Sequence, residues 1–353
     1  MVLPDPTNCS MAQIVATDFQ VNFYVFCNCC LTVIPVGLLV FFVLSQQLRK
    51  TFTLVNDNTK ILFGCFGTLI VCHSIFVLLL GGSSLRKSFD HEDECDYRWI
   101  TSECLTFKVP IYFCIFGFSM THLAMFIERW IATSFRRRGE RCDSSILWAP
   151  ILVFSIVVST LSILYFIYHA ENLEAPKTYC VSTTSSSAPS FDRTLQIVTI
   201  IDLFAMAGDF LVFLRSRTQM RRVNDNYTLN KAYTVRESLL SIKLLLPLSI
   251  VHTVFYILYT AFSMFNRSRA KFLDPIVHVR VIVEDQIVIS FYAIVICLSA
   301  IFLFRHFDSH VQLNNLKNEA DSHFTYLNNL FDGPQRQKNV LILPPLNVRK
   351  LKT

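Results

Sequence analysis

Ionisable side chains inside otherwise apolar segments are the first candidates for chemistry, because such positions are costly in a membrane. Asp202 and Asp209 are seven residues apart in one apolar run, so they share a face of a helix. Asp202 is placed to meet a ligand. Asp209 is placed to pair with Lys243 or His252. The alternative for both acids is structural, since a buried carboxylate can form an interhelical hydrogen bond that only fixes packing.

A second pair of acids, Glu284 and Asp285, opens the last apolar run. They are expected either to contact a ligand or to form a salt bridge with Arg280, and the salt bridge is the simpler interpretation. The histidines inside apolar runs are scattered along the chain without metal-site spacing, so each is expected to hydrogen bond to a neighbouring helix: His73, His122 and His252. We therefore expect no metal, no cofactor and no catalytic residues.

Seven apolar runs must position these residues, and each is long enough to cross a bilayer as a helix of about 20 residues. Continuous runs favour helices over the alternating strands of a β-barrel. The predicted fold is an all-α integral membrane protein, a seven-transmembrane helix bundle. Its spans are expected near residues 22–44, 61–80, 106–127, 146–168, 195–214, 242–264 and 282–304.

Loop charges predict the direction of the chain through the membrane. Basic residues concentrate in three loops that are therefore expected inside: 45–60, 128–145 and 215–241. Residues 1–21 contain no Lys or Arg and are expected to be an extracellular N-terminus, which leaves 305–353 as a cytoplasmic tail. The loop 265–281 disagrees, because it is basic yet must lie outside if there are seven spans. Two sequons on the outer side predict glycosylation, at Asn8 and Asn266.

The composition fits a lipid-facing protein, with 52% hydrophobic residues, 32 phenylalanines and only 16% charged residues. The net charge of +6 lies in short loops between apolar runs, so it indicates membrane orientation and not a nucleic-acid partner. The N-terminus shows no basic region followed by a short apolar stretch, so we expect the first span to direct insertion into the lipid bilayer.

Cys104 and Arg129 mark the two ends of the third span. They are 25 positions apart, about 37 Å of helix, which is enough to cross a bilayer with some tilt. Cys104 would then face an oxidising lumen during synthesis and form a disulfide. Cys180 in the next outside loop is the expected partner, and Cys95 is the alternative. A bridge to Cys180 would pin that loop over the outer mouth of the bundle.

The tripeptide Glu128-Arg129-Trp130 resembles the acidic-arginine-aromatic motif of G-protein-coupled receptors. In those receptors the arginine is held by its acidic neighbour at rest and is freed on activation, when the inner cavity opens to the G protein. The alternative is that these charges only orient the chain, since arginines also follow at 136–138. The spacing to Cys104 and the seven spans favour the functional interpretation.

Longer matches resemble the nematode serpentine chemoreceptors of the Sra superfamily, closest to class alpha/beta or class beta. They cover most of residues 8–305 and include Cys104, Pro110, Glu128 through Thr133, Tyr227-Thr228-Leu229, Tyr233, Glu237-Ser238, Pro247 and His252. The seventh span lacks the Asn-Pro-x-x-Tyr run of rhodopsin-like receptors, so their coupling details are not carried over.

The resemblance implies a GPCR-like chemosensory receptor in the plasma membrane, in the cilia of sensory neurons. Its implied partners are a small-molecule chemical ligand and a heterotrimeric G protein. Ligand identity, G-protein class and the association of receptor copies into an oligomer stay open.

The family geometry also implies a ligand pocket along the outer half of the third span. Tyr112, Ile115 and Phe116 would line it, with Asp202 and Asp285 as polar candidates. The outer half of the third span itself carries no acid, which speaks against an amine, and its aromatic and aliphatic side chains fit a small apolar or weakly polar molecule. Ordinary core packing is the alternative.

Other classes of membrane protein fit less well. A ligand-gated channel or a transporter is the main alternative, but it is expected to have broken helices or a polar file across the bundle. A retinal protein needs a Schiff-base lysine in the seventh span, and residues 281–304 contain none. An intramembrane hydrolase would show histidines and carboxylates clustered in sequence, and no such cluster is visible in this sequence.

Overall fold

The computed structural model describes residues 9–45, 57–89, 93, 95–136, 148–169, 171–180, 187–223, 229–269 and 275–331. Within these residues the chain forms eight α-helices and one two-stranded sheet. The helices are α1 (Cys9–Thr17), α2 (Phe19–Leu44), α3 (Asp57–Phe89), α4 (Thr101–Arg136), α5 (Trp148–Tyr168), α6 (Ala188–Val223), α7 (Leu229–Arg269) and α8 (Pro275–Phe331). The described residues up to His306 form one compact unit, and those from Phe307 to Phe331 belong to a second.

Seven of the helices are long and apolar enough to cross a membrane, which confirms the predicted seven-transmembrane bundle. The spanning parts are Phe19–Leu44, Asp57–Phe89, Thr101–Ser134, Trp148–Tyr168, Ala188–Thr218, Ile242–Arg269 and Val279–His306. Several helices continue past the predicted ends of their spans. A helix satisfies its own backbone hydrogen bonds, so it can extend into the polar region at either surface.

Local chemistry sets the start of the first span. The Asp18 carboxylate accepts a hydrogen bond from the Val21 backbone N–H over 2.9 Å and caps α2. Prolines lie inside three of the helices, at Pro35, Pro110 and Pro247. They are tolerated there because neighbouring helices and side chains can satisfy the freed backbone groups.

Helix α4 is the centre of the bundle. In its most apolar stretch 72% of the residues are buried, against 17–50% in the other spans. It packs against α3, α5 and α6. Because α4 is surrounded by protein, its polar residues face other helices and are available for interhelical contacts.

The sheet joins two short strands that are distant in sequence. Strand β1 (Trp99–Ile100) immediately precedes α4, and β2 (Pro176–Lys177) lies between α5 and α6. They pair antiparallel, with Trp99 opposite Lys177. The strand pair therefore sits beside the first turn of the central helix.

Candidate functional site

The first part of the site is a lid formed by β1, β2 and their neighbours, at what we call the outer end of the bundle. Cys104 in the first turn of α4 is bonded to Cys180, three residues after β2. The Thr101 backbone N–H adds a hydrogen bond to the Ala175 carbonyl over 3.1 Å. The segment before α6 is thus held on the central helix by a covalent bond and by strand pairing.

Cys95, the alternative partner considered for Cys104, is bonded to Cys9 of α1. This second bridge ties the N-terminal helix to the segment that leads into β1. Lys87 adds a third contact, because its ammonium lies 3.1 Å from the Glu103 carboxylate and 4.1 Å from the centre of the Trp99 ring. Both ends of β1 are therefore anchored to neighbouring elements.

A narrow cleft lies between α1, α2, α3 and the lid. Its lining includes Lys87, Trp99 and Tyr179. The residues predicted to line a ligand pocket do not contribute to this cleft. They lie deeper, against α6.

The predicted pocket residues of α4 form a buried aromatic wall. Tyr112, Ile115 and Phe116 are each at most 4% exposed. The Tyr112 ring packs edge-to-face on Phe191 of α6 at 4.9 Å between centroids, and Phe116 lies 6.0 Å from the same ring. The structure therefore brings these three predicted residues together below the lid, with Phe191 closing the other side.

Lys108 is a polar residue on the face of α4 that carries Tyr112, and it was not among the residues predicted from the sequence. It lies one turn after Cys104 and one turn before Tyr112, and it is 1% exposed. Among the described residues, the ion pairs do not include Lys108. Lys177 of β2 is also buried, with Glu171 as its carboxylate neighbour at 4.0 Å, and burial lowers the pKa of Lys177. Two lysine side chains are thus buried at this end of the bundle.

Asp285 is hydrogen-bonded to helix α7. It lies on α8, and its Oδ1 accepts a hydrogen bond from the Asn266 side-chain amide over 2.7 Å. Asn266 and Asp285 are both 7% exposed. Glycosylation of Asn266 stays a prediction, and in this structure its side-chain amide is buried and hydrogen-bonded to Asp285. Asn8, the other predicted glycosylation site, lies outside the described residues.

Arg280, which was expected to pair with Glu284 or Asp285, pairs with Asp18. The Arg280 Nη2 lies 2.6 Å from Asp18 Oδ2, and the Nε lies 3.2 Å from Oδ1. The guanidinium lowers the pKa of the Asp18 carboxyl. This ion pair joins the start of the first span to the start of the last.

The centre of the bundle holds a polar cluster around Asp202 of α6, which is 0% exposed. Its Oδ1 lies 3.0 Å from Nδ1 of His122 on α4 and 3.2 Å from Nε2 of His252 on α7. Its Oδ2 accepts a hydrogen bond from the Ser119 hydroxyl over 2.6 Å. The two histidines, which looked scattered in sequence, lie with ring centroids 4.7 Å apart.

The remaining nitrogen of each imidazole also has a partner. Nε2 of His122 lies 2.6 Å from the Ser249 hydroxyl on α7, and Nδ1 of His252 lies 2.6 Å from the Tyr292 hydroxyl on α8. Four helices therefore contribute to one buried hydrogen-bond network. Both histidines hydrogen bond to neighbouring helices, as expected from the sequence. Asp202 is part of that network and not of the aromatic wall.

The inner part of the site is the ion pair between Arg129 of α4 and Asp209 of α6. Arg129 Nη1 lies 3.0 Å from Asp209 Oδ1, and Arg129 Nε donates to the Met125 carbonyl over 2.9 Å. Both charged groups are buried, so their attraction acts in a medium of low dielectric constant. The expected partners of Asp209, Lys243 or His252, were wrong. His252 pairs with Asp202 instead.

His122 links the two carboxylates of α6. Its Nδ1 contacts Asp202, and its Nε2 lies 3.7 Å from Asp209 Oδ2. A continuous file of buried polar side chains thus runs from Asp202 through His122 to Asp209 and Arg129. The file joins the middle of the bundle to the end opposite the lid.

The residues on either side of Arg129 have contacts with other parts of the structure. Glu128 is buried and accepts a hydrogen bond from the Thr59 hydroxyl of α3 over 3.3 Å. Trp130 is 44% exposed, with the Arg215 guanidinium 5.8 Å from the centre of its ring. Within the tripeptide, the arginine is therefore the residue that reaches the central network.

With this geometry in place, comparison with known proteins identifies the family. Residues 6–334 match the family described as serpentine type 7TM GPCR receptor class ab chemoreceptor. The chain belongs to this family. Its relatives include serpentine receptor class beta-7 of Caenorhabditis elegans, 26% identical over 67% of each chain.

Two more relatives of this serpentine receptor come from the same organism. Serpentine receptor class beta-17 is 22% identical over 65% of this chain and 62% of its own length. Serpentine receptor class alpha/beta-14 is 22% identical over 64% of this chain and 57% of its own length. The match thus spans about three fifths of those two relatives. The chain is a multi-pass membrane protein of a chemoreceptor family, and that family is not one of enzymes.

Two features of the site in this serpentine receptor were not predicted from the sequence. Lys108 could have been noticed because it continues the i, i+4 face from Cys104 to Tyr112. The His122–His252 contact had no such signal, because residues 130 positions apart on different helices show no common spacing.

Proposed function

We propose that this serpentine receptor is a G-protein-coupled chemosensory receptor. Its N-terminus faces the outside, and a small extracellular chemical cue binds in the outer half of the bundle. The signal passes to a cytoplasmic heterotrimeric G protein at the opposite end. The site of action is the plasma membrane, in sensory-neuron cilia, as the family implies. The domain limits that go with this proposal are 1–21, 22–304 and 305–353.

The cue is proposed to contact the aromatic wall and Lys108. Tyr112, Phe116 and Phe191 offer apolar surface that suits a small apolar skeleton. Lys108 offers a buried ammonium without a carboxylate partner among the described residues. An unpaired buried charge is costly, so an anionic group on the cue would relieve that cost. We therefore propose a cue with an apolar body and an acidic group.

The observation that carries the proposal is the buried file from Asp202 through His122 to Asp209 and Arg129. Movement of α6 against α4 changes the distance from Asp202 to His122 and the distance from Asp209 to Arg129 together. A buried charge that loses its partner needs another, so separation of the Arg129–Asp209 pair drives the guanidinium toward a new partner. A ligand that binds one arrangement of α4 and α6 better than the other shifts the population toward it. The freed guanidinium is then available to the G protein.

The direct test is a screen of volatile and soluble compounds against cells that express the receptor, with G-protein activation as the readout. Arg129→Ala should abolish responses that the wild type shows, because it removes the group that changes partner. Arg217→Ala is the matched control, since Arg217 is an exposed arginine near the same end of the bundle. Unaltered responses in Arg129→Ala, at equal surface expression, would refute the role of Arg129.

The acidic-cue part has its own test. Lys108→Gln should lower the potency of an acidic agonist by about 10–100-fold, the effect of losing a charged hydrogen bond. The potency of the agonist's methyl ester should not change. Lys87→Gln is the control, because Lys87 is already paired with Glu103. If the acid and the ester respond equally to Lys108→Gln, the proposed anionic group is wrong while the receptor assignment stands.

The alternative function is a ligand-gated channel or transporter. It predicts ligand-evoked current in a reconstituted bilayer that contains no G protein. The receptor proposal predicts no current there and ligand-dependent nucleotide exchange once a G protein is added.

A further inference from the structure

The polar cluster at the centre of the bundle has the composition and shape of a metal site. His122 Nδ1, Asp202 Oδ1 and His252 Nε2 all lie within 4.8 Å of one another. Two sides of this triangle measure 3.0 Å and 3.2 Å. A tetrahedral ion with bonds of about 2.0–2.1 Å separates its ligands by roughly 3.3–3.4 Å. The two carboxylate–imidazole distances therefore need to lengthen by only a few tenths of an ångström to match those of a tetrahedral ion.

From this geometry we propose that His122, Asp202 and His252 bind a divalent transition-metal ion of the Zn²⁺ or Cu²⁺ type. Two imidazoles and one carboxylate suit these ions, whereas Ca²⁺ and Mg²⁺ prefer oxygen ligands. Three protein ligands leave a fourth position for water or another small donor. Each ligand comes from a different helix, so the ion would join α4, α6 and α7.

The surroundings of the three ligands are those that a metal site requires. Metal-binding histidines usually hydrogen bond through the nitrogen that does not bind the ion, which fixes their orientation. Here that role falls to the Ser249 hydroxyl for His122 and to the Tyr292 hydroxyl for His252, both at 2.6 Å. With the ion bound, each imidazole donates its other N–H to its hydroxyl. Asp202 is oriented in the same way by Ser119.

Charge provides an independent argument. Asp202 and Asp209 are both 0% exposed, and within their network they face one guanidinium, that of Arg129. With neutral histidines this network carries an excess negative charge inside the membrane-spanning region, which is costly. A divalent cation at Asp202 offsets that charge. A proton on an imidazole would also offset it, so the experiment must separate metal binding from a purely hydrogen-bonded network.

The test uses the full chain in lipid nanodiscs, purified with a histidine-free tag and treated with a chelator. Zn²⁺ is added, excess ion is removed, and bound metal is counted by mass spectrometry. The wild type should retain about one more ion per chain than His122→Gln/His252→Gln, because two of the three ligands are lost in that variant. His73→Gln is the matched control, since His73 is equally buried but lies outside the cluster.

Two further measurements guard against a variant that fails to fold. Wild-type protein alone should melt at a higher temperature with Zn²⁺ than with Mg²⁺, because an ion that binds only the folded state stabilises it. Tyr292→Phe keeps all three ligands and should weaken Zn²⁺ binding by about 10–100-fold. Equal metal retention in the wild type and the double variant, with no Zn²⁺-specific melting shift, would show a hydrogen-bond network only. Because these readouts involve no ligand or G protein, they are independent of the proposed receptor function.

Discussion

The two ends of α4 are held in different ways. At its first turn, Cys104 is fixed to the lid by a disulfide, and β1 adds backbone hydrogen bonds. Near its other end, Arg129 is held to α6 by an ion pair with Asp209. The first attachment cannot change partners without breaking covalent bonds. The second can, because a guanidinium can exchange one acidic or polar partner for another.

This difference suggests a division of labour along one helix. The outer end keeps the pocket wall in place, so that Tyr112 and Phe116 present a constant surface. The inner end keeps Arg129 in a state that a small relative movement of α4 and α6 can change. A rigid end and an exchangeable end on one helix are what a two-state signalling element needs.

The largest effect is expected when the rigid end of α4 is released from the lid. The double variant Cys104→Ser/Cys180→Ser should destabilise the protein by about 2–5 kcal/mol, the usual cost of removing a native disulfide. Thermal unfolding in nanodiscs measures this loss. Cys30→Ser is the control, because Cys30 is an exposed free cysteine. A melting temperature equal to that of the wild type would show that the strand pairing alone holds the lid.

The close approach of α4 and α6 near the exchangeable end depends on Gly208. A Cβ at this position would lie 2.2 Å from the Phe126 ring, so Gly208→Ala forces the ring or α6 to move. Overpacking of this kind typically costs about 1–3 kcal/mol, and it should separate Asp209 from Arg129. Basal G-protein activation and melting temperature should both change. Gly82→Ala should change neither, because nothing lies within 4 Å of a Cβ there.

The two regions also differ in what the sequence allows one to predict. Hydropathy predicts the spans, and the 25-residue spacing puts Cys104 and Arg129 at opposite ends of one helix. The partner of Arg129 was not predictable in the same way. Asp209 was recognised as a buried acid, but its partner depends on how α4 and α6 are rotated about their axes. The helix periodicity of a nearly uniform apolar run does not determine that rotation.

Asn266 has a structural role that its local motif does not indicate. Its sequon is a three-residue pattern, whereas the burial of its amide depends on Asp285 of another helix. Lys108 is hard to single out from sequence, because one charge near the end of a span is common at the membrane interface. Its burial under the lid follows from the Cys104–Cys180 bond and from β2, which lie far away in sequence.

The smallest effect is expected where Asp18 joins the first and last spans. Asp18→Asn keeps an α2 cap but removes the charge that pairs with Arg280. A partly exposed ion pair contributes about 0.2–1 kcal/mol. Because the folded-state pKa of Asp18 is lowered, this stability is present above the carboxyl's ordinary value of 3.8 and is lost as the pH falls through the lowered pKa. Wild type and variant should therefore differ in melting temperature at pH 7 and converge in strong acid.

The central claim is that the Arg129–Asp209 pair restrains signalling, and helix α6 offers a matched comparison within itself. Asp192 pairs with Arg267 at 2.7 Å near the outer end of α6, whereas Asp209 pairs with Arg129 at 3.0 Å near the inner end. Both pairs are broken by the same substitution, Asp to Asn. Basal G-protein activation should be measured for Asp209→Asn and Asp192→Asn at equal surface expression. The structure predicts that Asp209→Asn raises basal activation and that Asp192→Asn leaves it at the wild-type level. Equal basal activation in both variants would contradict the role of the inner pair.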